Sequence, residues 1–227
     1  MGRYLGPKVR IIRRLGLLAG LTPKMPKMRL NTPGEHGQLI REKENQSSLK
    51  DDYKERLIEK QRLRFNYGIT EGQLIQYCKL AKKGHNFAGR KLLELLEARL
   101  DCVVYRLGFA ISIPSARQTI SHGHILVNAR CVNIPSFSCQ KGDTISVKNK
   151  PTSTSLIEKR VLAQVEINNA IERRAEEINA DISSFRWSLP SHLELSSVYV
   201  GKVLNVVNRD EVLIEVNDLK VIEYYSK

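Results

Sequence analysis

The segment that most constrains the fold is residues 89–148, which reads as helix, short loop, short helix, hairpin and strand. Leu92, Leu95, Leu96, Leu100, Val103, Val104 and Leu107 recur at three- and four-residue steps, and that spacing predicts one amphipathic helix over 90–107. Gly108 is expected to stop it. Pro114 suits a first helical turn, where its missing N–H has no partner to lose. A second, short helix is therefore expected to begin there, run through Arg117 and end at Gly123, a residue free to take positive φ. Strands over 124–128 and 130–134 should meet tightly at Asn128-Ala129, and Gly142-Asp143 should turn the chain into a third strand over 144–148. On this reading Arg99 and Arg106, seven apart, lie on nearly one line of the long helix. Arg117, His122, His124 and Arg130 follow on the short helix and the hairpin. Any one of them is consistent with a solvated surface. Placed together outside a small packed unit, they point to a phosphate-binding face.

The charge balance asks for a polyanionic partner. The chain has 37 Lys and Arg against 24 Asp and Glu, a net charge of +13 and a pI near 9.7. Nucleic acid or an acidic membrane would satisfy it, but no apolar run approaches the ~20 residues of a membrane helix. The excess is uneven: residues 1–64 carry a net +9, 65–157 a net +7 and 158–227 a net −3. The basic face is thus assigned to the first two thirds. A chain of 227 residues can hold one large or two modest domains.

Residues 1–30 contain eight Lys and Arg and no acidic residue, with Arg10, Arg13 and Arg14 clustered before Leu15. This reads as a basic arm that orders on RNA, against the alternative of a disordered arm. Pro23, Pro26 and Pro33 make 22–34 an extended linker, and Pro33-Gly34 marks a turn close to His36. Residues 51–64 read as a charged helix whose last turn holds Lys60, Arg62 and Arg64; the preference of cations for a helix C-terminus would explain these without RNA. Thr70 and Gln73 have capping-box spacing and open a helix on Leu74, Ile75, Tyr77, Cys78, Leu80 and Ala81. After a polar loop, Ser155 and Glu158 form a second such pair, opening a helix along Ile157, Val161, Val165, Ile171 and Ile178. Trp187 is expected to anchor a corner of the core. Val198 to Val206 and Val212 to Val216 alternate as a hairpin turning at Asn208-Arg-Asp210. Residues 219–226 form a last extended or short helical piece, whose Tyr224 and Tyr225 either pack or stack on RNA.

Catalytic chemistry finds little support. There is no phosphate-binding glycine loop, and none of His36, His85, His122, His124 and His192 has a carboxylate or cysteine at catalytic spacing. Cys78, Cys102, Cys131 and Cys139 lack zinc-ligand spacing and read as buried hydrophobes or free thiols.

The run Leu95-Leu-Glu-Ala-Arg-Leu-Asp-Cys-Val-Val-Tyr-Arg-Leu-Gly108, with Ala116-Arg117-Gln118, Ser121-His122 and Ile125-Leu-Val-Asn128, resembles the RNA-binding module of the family of ribosomal protein four of the small subunit. Arg3-Tyr-Leu-Gly-Pro-Lys8, Pro33-Gly-Glu-His-Gly37, Glu59-Lys-Gln-Arg-Leu-Arg64, Tyr67-Gly68 and Glu223-Tyr-Tyr-Ser-Lys227 resemble its bacterial and plastid type, most closely the plastid form. The likeness runs through nearly the whole chain and is weakest at 151–186 and 194–218.

The resemblance implies an α+β fold: a helical N-terminal domain plus an RNA-binding module of two helices and a small antiparallel sheet, with a basic N-terminal extension. The expected divisions are an arm over 1–50, a helical domain over 51–88 completed by 219–227, the module over 89–150, and a helix and β-hairpin over 151–218. The implied role is structural: direct binding of ribosomal RNA early in subunit assembly, beside neighbouring ribosomal proteins and the path by which mRNA enters. The expected RNA contacts are Arg3, Lys8, Arg10, Arg13, Arg14, Arg56, Lys60, Arg62, Arg64, Arg90, Lys91, Arg99, Arg106, Arg117, His122, His124, Asn128 and Arg130. No catalytic residue, cofactor, metal or membrane is expected. Some relatives hold a zinc through N-terminal cysteines, and this chain has none before Cys78. The family start falls at residue 3, so no transit peptide is expected, and the plastid stroma is the expected compartment, ahead of the bacterial cytoplasm. Two alternatives use the same module. One is a free RNA-binding translational regulator. The other is a pseudouridine synthase, suggested by Arg99-Leu-Asp101 but opposed by the Cys102-Val-Val104 that follows and by its place inside a regular helix. One departure concerns Ala129, where the family usually has glycine; a primed turn there would strain alanine by ~1 kcal/mol.

Overall fold

A computed structural model describes residues 4–23, 31–37, 52–84, 87–178, 188–212 and 214–226. Expectations for Arg3, Pro26, Trp187 and the side chains of Ile171 and Ile178 lie outside the described residues. The α+β class holds. Helices α1 (Lys8–Leu15), α2 (Asp52–Asn66), α3 (Glu71–Lys82), α4 (Ala88–Glu97), α5 (Leu100–Arg106) and α6 (Ile113–Ser121) precede strands β1 (Ile125–Val127), β2 (Arg130–Cys131) and β3 (Thr144–Val147). Helix α7 (Pro151–Ile178), strands β4 (Leu193–Ser197) and β5 (Val200–Val203) and helix α8 (Asp218–Tyr224) follow. The chain divides into two compact units, Met1–Leu92 with Ile214–Lys227, and Leu93–Leu213.

In the first unit α1 buries Ile11, Ile12 and Leu15 and leaves Arg10 and Arg14 exposed. Burying each such aliphatic side chain is worth roughly 1.5–3 kcal/mol, so the order of α1 does not depend on phosphates alone. Asn66 Oδ1 accepts from Gly20 N at 3.0 Å and fixes the chain after α1 to the end of α2. Thr70 caps α3 in a reciprocal box with Gln73, as its spacing predicts. Helix α8 lies along α2. Glu223 accepts from Arg56 at 2.9 Å, Glu59 accepts from the Asn217 backbone at 3.0 Å, Lys220 pairs with Glu55, and the Tyr225 hydroxyl donates to Glu71 at 2.5 Å. Tyr224 lies 5.9 Å from Tyr53 and under the Lys60 ammonium, so both tyrosines are used in packing.

The second unit is a five-stranded antiparallel sheet in the order β2-β1-β3-β5-β4, with α5 and α6 packed together beside it. Strand β5 needs Gly201, since a Cβ there would sit 2.5 Å from Cδ2 of the buried Leu107. At the β1–β2 turn Asn128 has φ 49° and Ala129 φ 65°. The turn is therefore of the primed type despite the alanine. Ala129→Gly is expected to raise stability by about 0.5–1 kcal/mol in urea unfolding; a clear loss would contradict the positive φ at that position.

The structure corrects four expectations. The helix over 90–107 is two helices, α4 and α5, broken at Ala98-Arg99. The break is held from outside, where Phe137 O accepts from Leu100 N at 2.8 Å, Pro135 O from Asp101 N at 3.1 Å, and Ala98 O from Cys139 N at 2.7 Å. For the same reason β2 stops at Cys131, because the chain leaves the sheet to cap α5. Helix α7 starts at Pro151, with Thr154 N bonded to Lys150 O at 3.0 Å, so Ser155 lies inside it and caps nothing. The C-terminal hairpin is β4–β5, turning at Val198-Tyr199, because β5 finds the open edge of β3. Residues 209–211 are a 3₁₀ turn, and the buried Ile214 and Val216 lie outside any strand.

Candidate nucleic-acid interface

The break at Ala98-Arg99 decides which cations can meet a ligand. Arg99, the N-cap of α5, is not on the exposed line that an unbroken helix would give it. It is 3% exposed, and its guanidinium forks onto Asp101, Nε to Oδ1 at 3.0 Å and Nη2 to Oδ2 at 2.8 Å. Arg117 Nε from α6 donates to the same Oδ2 at 2.7 Å. Asp101 is 1% exposed, with both its oxygens engaged by arginine. The aspartate that echoed a modifying enzyme is thus a buried clamp between α5 and α6, closed to a nucleobase.

A second clamp spans the break. Glu97 accepts from Arg106 Nε at 3.3 Å and Nη2 at 3.4 Å and from Cys102 Sγ at 3.0 Å, while Arg106 Nη2 also donates to Glu211 O at 2.5 Å. Arg106 is 8% exposed. The expectation that Arg99 and Arg106 lie on the outer face is therefore wrong; both are buried and matched by carboxylates. Burial pushes Cys102 well above its ordinary 9, Cys78 up to about 11 and Cys139 up to about 12. These thiols stay protonated and inert at neutral pH.

On the open side of α6 and the hairpin stand His122 and Arg130, both exposed, with Arg117 partly accessible at 22% of its side chain. Asn128 is exposed but committed to the turn: its Oδ1 accepts from Thr144 N at 3.0 Å, and its Nδ2 donates to Asp143 at 2.9 Å. His124 is half-buried, its ring 6.1 Å from that of His122 and its Nδ1 2.9 Å from Ser153 Oγ. Lys148 N donates to His124 O at 2.8 Å, and Arg160 of α7 reaches over to the Thr119 hydroxyl. Burial holds the His124 pKa below 6.5, with further lowering from His122, Arg160 and Lys148. Lys148 and Arg160 were missed from sequence. Arg160 lies in the acidic last third, and only the return of α7 past α6 brings it to this edge.

In the first unit Arg10 and Arg14 are exposed on α1. Lys8 and Arg13 are half-buried and hold loop carbonyls, Leu21 O at 3.4 Å and Asn31 O at 3.0 Å. Lys60 is 5% exposed and paired with Glu71 at 3.0 Å, so its expected place at a surface is also wrong. Arg56 pairs with Glu223, Arg62 with Glu59 at 3.1 Å, and Arg64 bonds Gln61 at 3.2 Å. Partly exposed pairs of this kind are weak enough to exchange partners. Arg90 is exposed and Lys91 half-buried. No helix among the described residues is long and apolar enough to cross a membrane.

Comparison with known proteins matches two segments of the chain. Residues 98–145 match the family described as S4 domain, and residues 3–97 match the ribosomal protein S4/S9 N-terminal domain. The small ribosomal subunit protein uS4 of Thermosynechococcus vestitus is 46% identical over 228 aligned positions, covering 100% of this chain and 99% of that protein. The uS4c proteins of Cyanophora paradoxa and Pyropia yezoensis are 44% and 46% identical, each covering 100% of both chains.

Proposed function

The chain belongs to the uS4 family of small ribosomal subunit proteins, and from that premise we propose that it is a structural constituent of the small subunit that binds ribosomal RNA directly. The observation that carries this reading is the split between buried and exposed cations within 98–160. Arg99, Arg106 and Arg117 are matched to Asp101 and Glu97 and stiffen the module, while His122, His124, Arg130, Lys148 and Arg160 stand at its accessible edge. A rigid unit with a positive edge relieves the repulsion between converging phosphates and fixes their angle. Recognition is therefore of shape and phosphate. With 6% aromatic residues, stacking on unpaired bases is a minor mode.

The same reading assigns an early role in subunit assembly, contacts with neighbouring ribosomal proteins and a position beside the path by which mRNA enters. It places the protein in the plastid stroma, with plastid-type relatives in its support. The role is non-catalytic, in keeping with the burial of Asp101. Filter binding of the full chain to small-subunit and large-subunit ribosomal RNA tests it. Saturable binding to the former, weakening steeply with salt, is expected. Equal, weak binding to both would overturn the reading.

A further inference from the structure

Four basic side chains from separate segments converge where α6 ends: His122 after α6, His124 before β1, Lys148 after β3 and Arg160 in α7. We propose that they form one seat for an RNA phosphate, and that the phosphate is taken up together with a proton on His124. The inference rests on the ribosomal reading above and specifies the ligand group and its proton coupling.

The geometry supplies three supports. The two imidazoles are 6.1 Å apart between ring centres, a span that one phosphate group can bridge. The His124 ring is fixed rather than free, because Nδ1 meets Ser153 Oγ at 2.9 Å and leaves Nε2 as the atom to face a ligand. Arg160 is anchored on Thr119, whose own hydroxyl donates to Ser115 O at 2.9 Å, so its guanidinium is tied to α6. The S4-domain match ends at residue 145, so Lys148 and Arg160 lie beyond the matched segment.

Besides burial, the groups that oppose a charge on His124 are His122 from the α6 end, Arg160 from α7 and Lys148 from the β3 end, with the neutral Ser153 as hydrogen-bond partner. In the free protein burial and these groups oppose protonation of His124. Its neutral form therefore contributes stability above the unfolded value of 6.5, and that contribution is lost as pH falls below 6.5 through the lower folded value. A phosphate seated among the four groups reverses the balance, since it offsets the charges of Lys148 and Arg160 and favours an imidazolium. Binding must then draw in a proton, and affinity must rise as pH falls.

The test uses the full chain and small-subunit ribosomal RNA at constant ionic strength, from about pH 8 to about pH 6. The wild type is expected to gain several-fold in affinity over this range, with one proton capping the gain at about tenfold per pH unit. His124→Gln should lose most of that gain, so that its affinity changes little with pH whatever its value near pH 8. Lys148→Gln and Arg160→Gln should weaken binding at every pH, each lowering the salt slope by about one. As a measurement that needs no variant, the His124 imidazole titration followed by NMR should move upward when a short A-form RNA duplex is added. A pH profile unchanged by His124→Gln, or an imidazole that titrates alike with and without the duplex, would overturn the proton coupling. Salt slopes untouched by Lys148→Gln and Arg160→Gln would overturn the seat. Absence of wild-type binding at any pH would instead overturn the ribosomal reading.

Discussion

Asp101→Asn is expected to destabilise the protein by about 3–5 kcal/mol, the cost of breaking a buried ion pair by neutralising one member. The reason is the number of groups that depend on this one carboxylate. Arg99 is nearly inaccessible and makes a two-pronged contact with it, while Arg117 brings α6 to the same oxygen. Asparagine keeps the size but removes the charge and offers one acceptor oxygen where two served. Arg99 then keeps a full positive charge in a site closed to water. Urea unfolding measures the loss directly, and a change below about 1 kcal/mol would contradict the clamp. Arg99→Gln separates the two roles open to that arginine. A buried clamp lowers the melting temperature, whereas a phosphate contact lowers RNA affinity and leaves melting alone. The first outcome is expected.

The second large effect concerns RNA. Replacing Arg10, Arg14, Arg130 and Lys148 together by glutamine is expected to weaken binding to small-subunit ribosomal RNA by roughly a hundredfold or more at low salt. The dependence of log K on log salt should flatten by about three to four. These positions are chosen because the first three are exposed and Lys148 is half-buried at the same edge as His124. Each single change should move stability by no more than about 0.5 kcal/mol, as surface substitutions do. Binding and salt dependence that survive the fourfold change would show that the RNA face lies elsewhere.

Much of the architecture was legible because its signals are local. Of the predicted apolar stripe, Leu92, Leu96, Leu100, Val103, Val104 and Leu107 are buried, as their spacing requires, and Leu95 is half-buried. The Thr70–Gln73 box forms, and the primed turn falls at Asn128-Ala129. What could not be read is the break at Ala98-Arg99. The apolar spacing runs through it without a fault, and the groups that make it, Phe137 O, Pro135 O and Cys139 N, are nearly forty residues away in sequence. Missing the break misplaced the charges as well. Inside a regular helix residues i and i+2 do not face each other, so Arg99 and Asp101 could not be paired. Once Arg99 stands outside the helix as its N-cap, the fork becomes possible. The valines near the C-terminus failed differently. Alternation marks an extended chain, but only the free edge of β3 decides that 200–203 becomes a strand while Val212, Ile214 and Val216 stay outside one.

The site divides along the same line. Composition and charge distribution led to the positive segments, and His122, Arg130, Arg10 and Arg14 are exposed. Which arginines were free was a question of ion pairing across the fold, and that depends on Glu97, Asp101 and Glu71 arriving from neighbouring elements. Arg160 joins the edge through a helix whose own composition is acidic and polar, so no count of charges along the chain could have found it.

The most direct measurement is the amount of this chain in small ribosomal subunits purified through a high-salt sucrose gradient from the cells that make it. One copy per small subunit, retained through the salt wash and lacking from the large-subunit fraction, is the predicted result. Salt-washed small subunits that lack the chain, with the protein recovered only among free RNA at the top of the gradient, would contradict it.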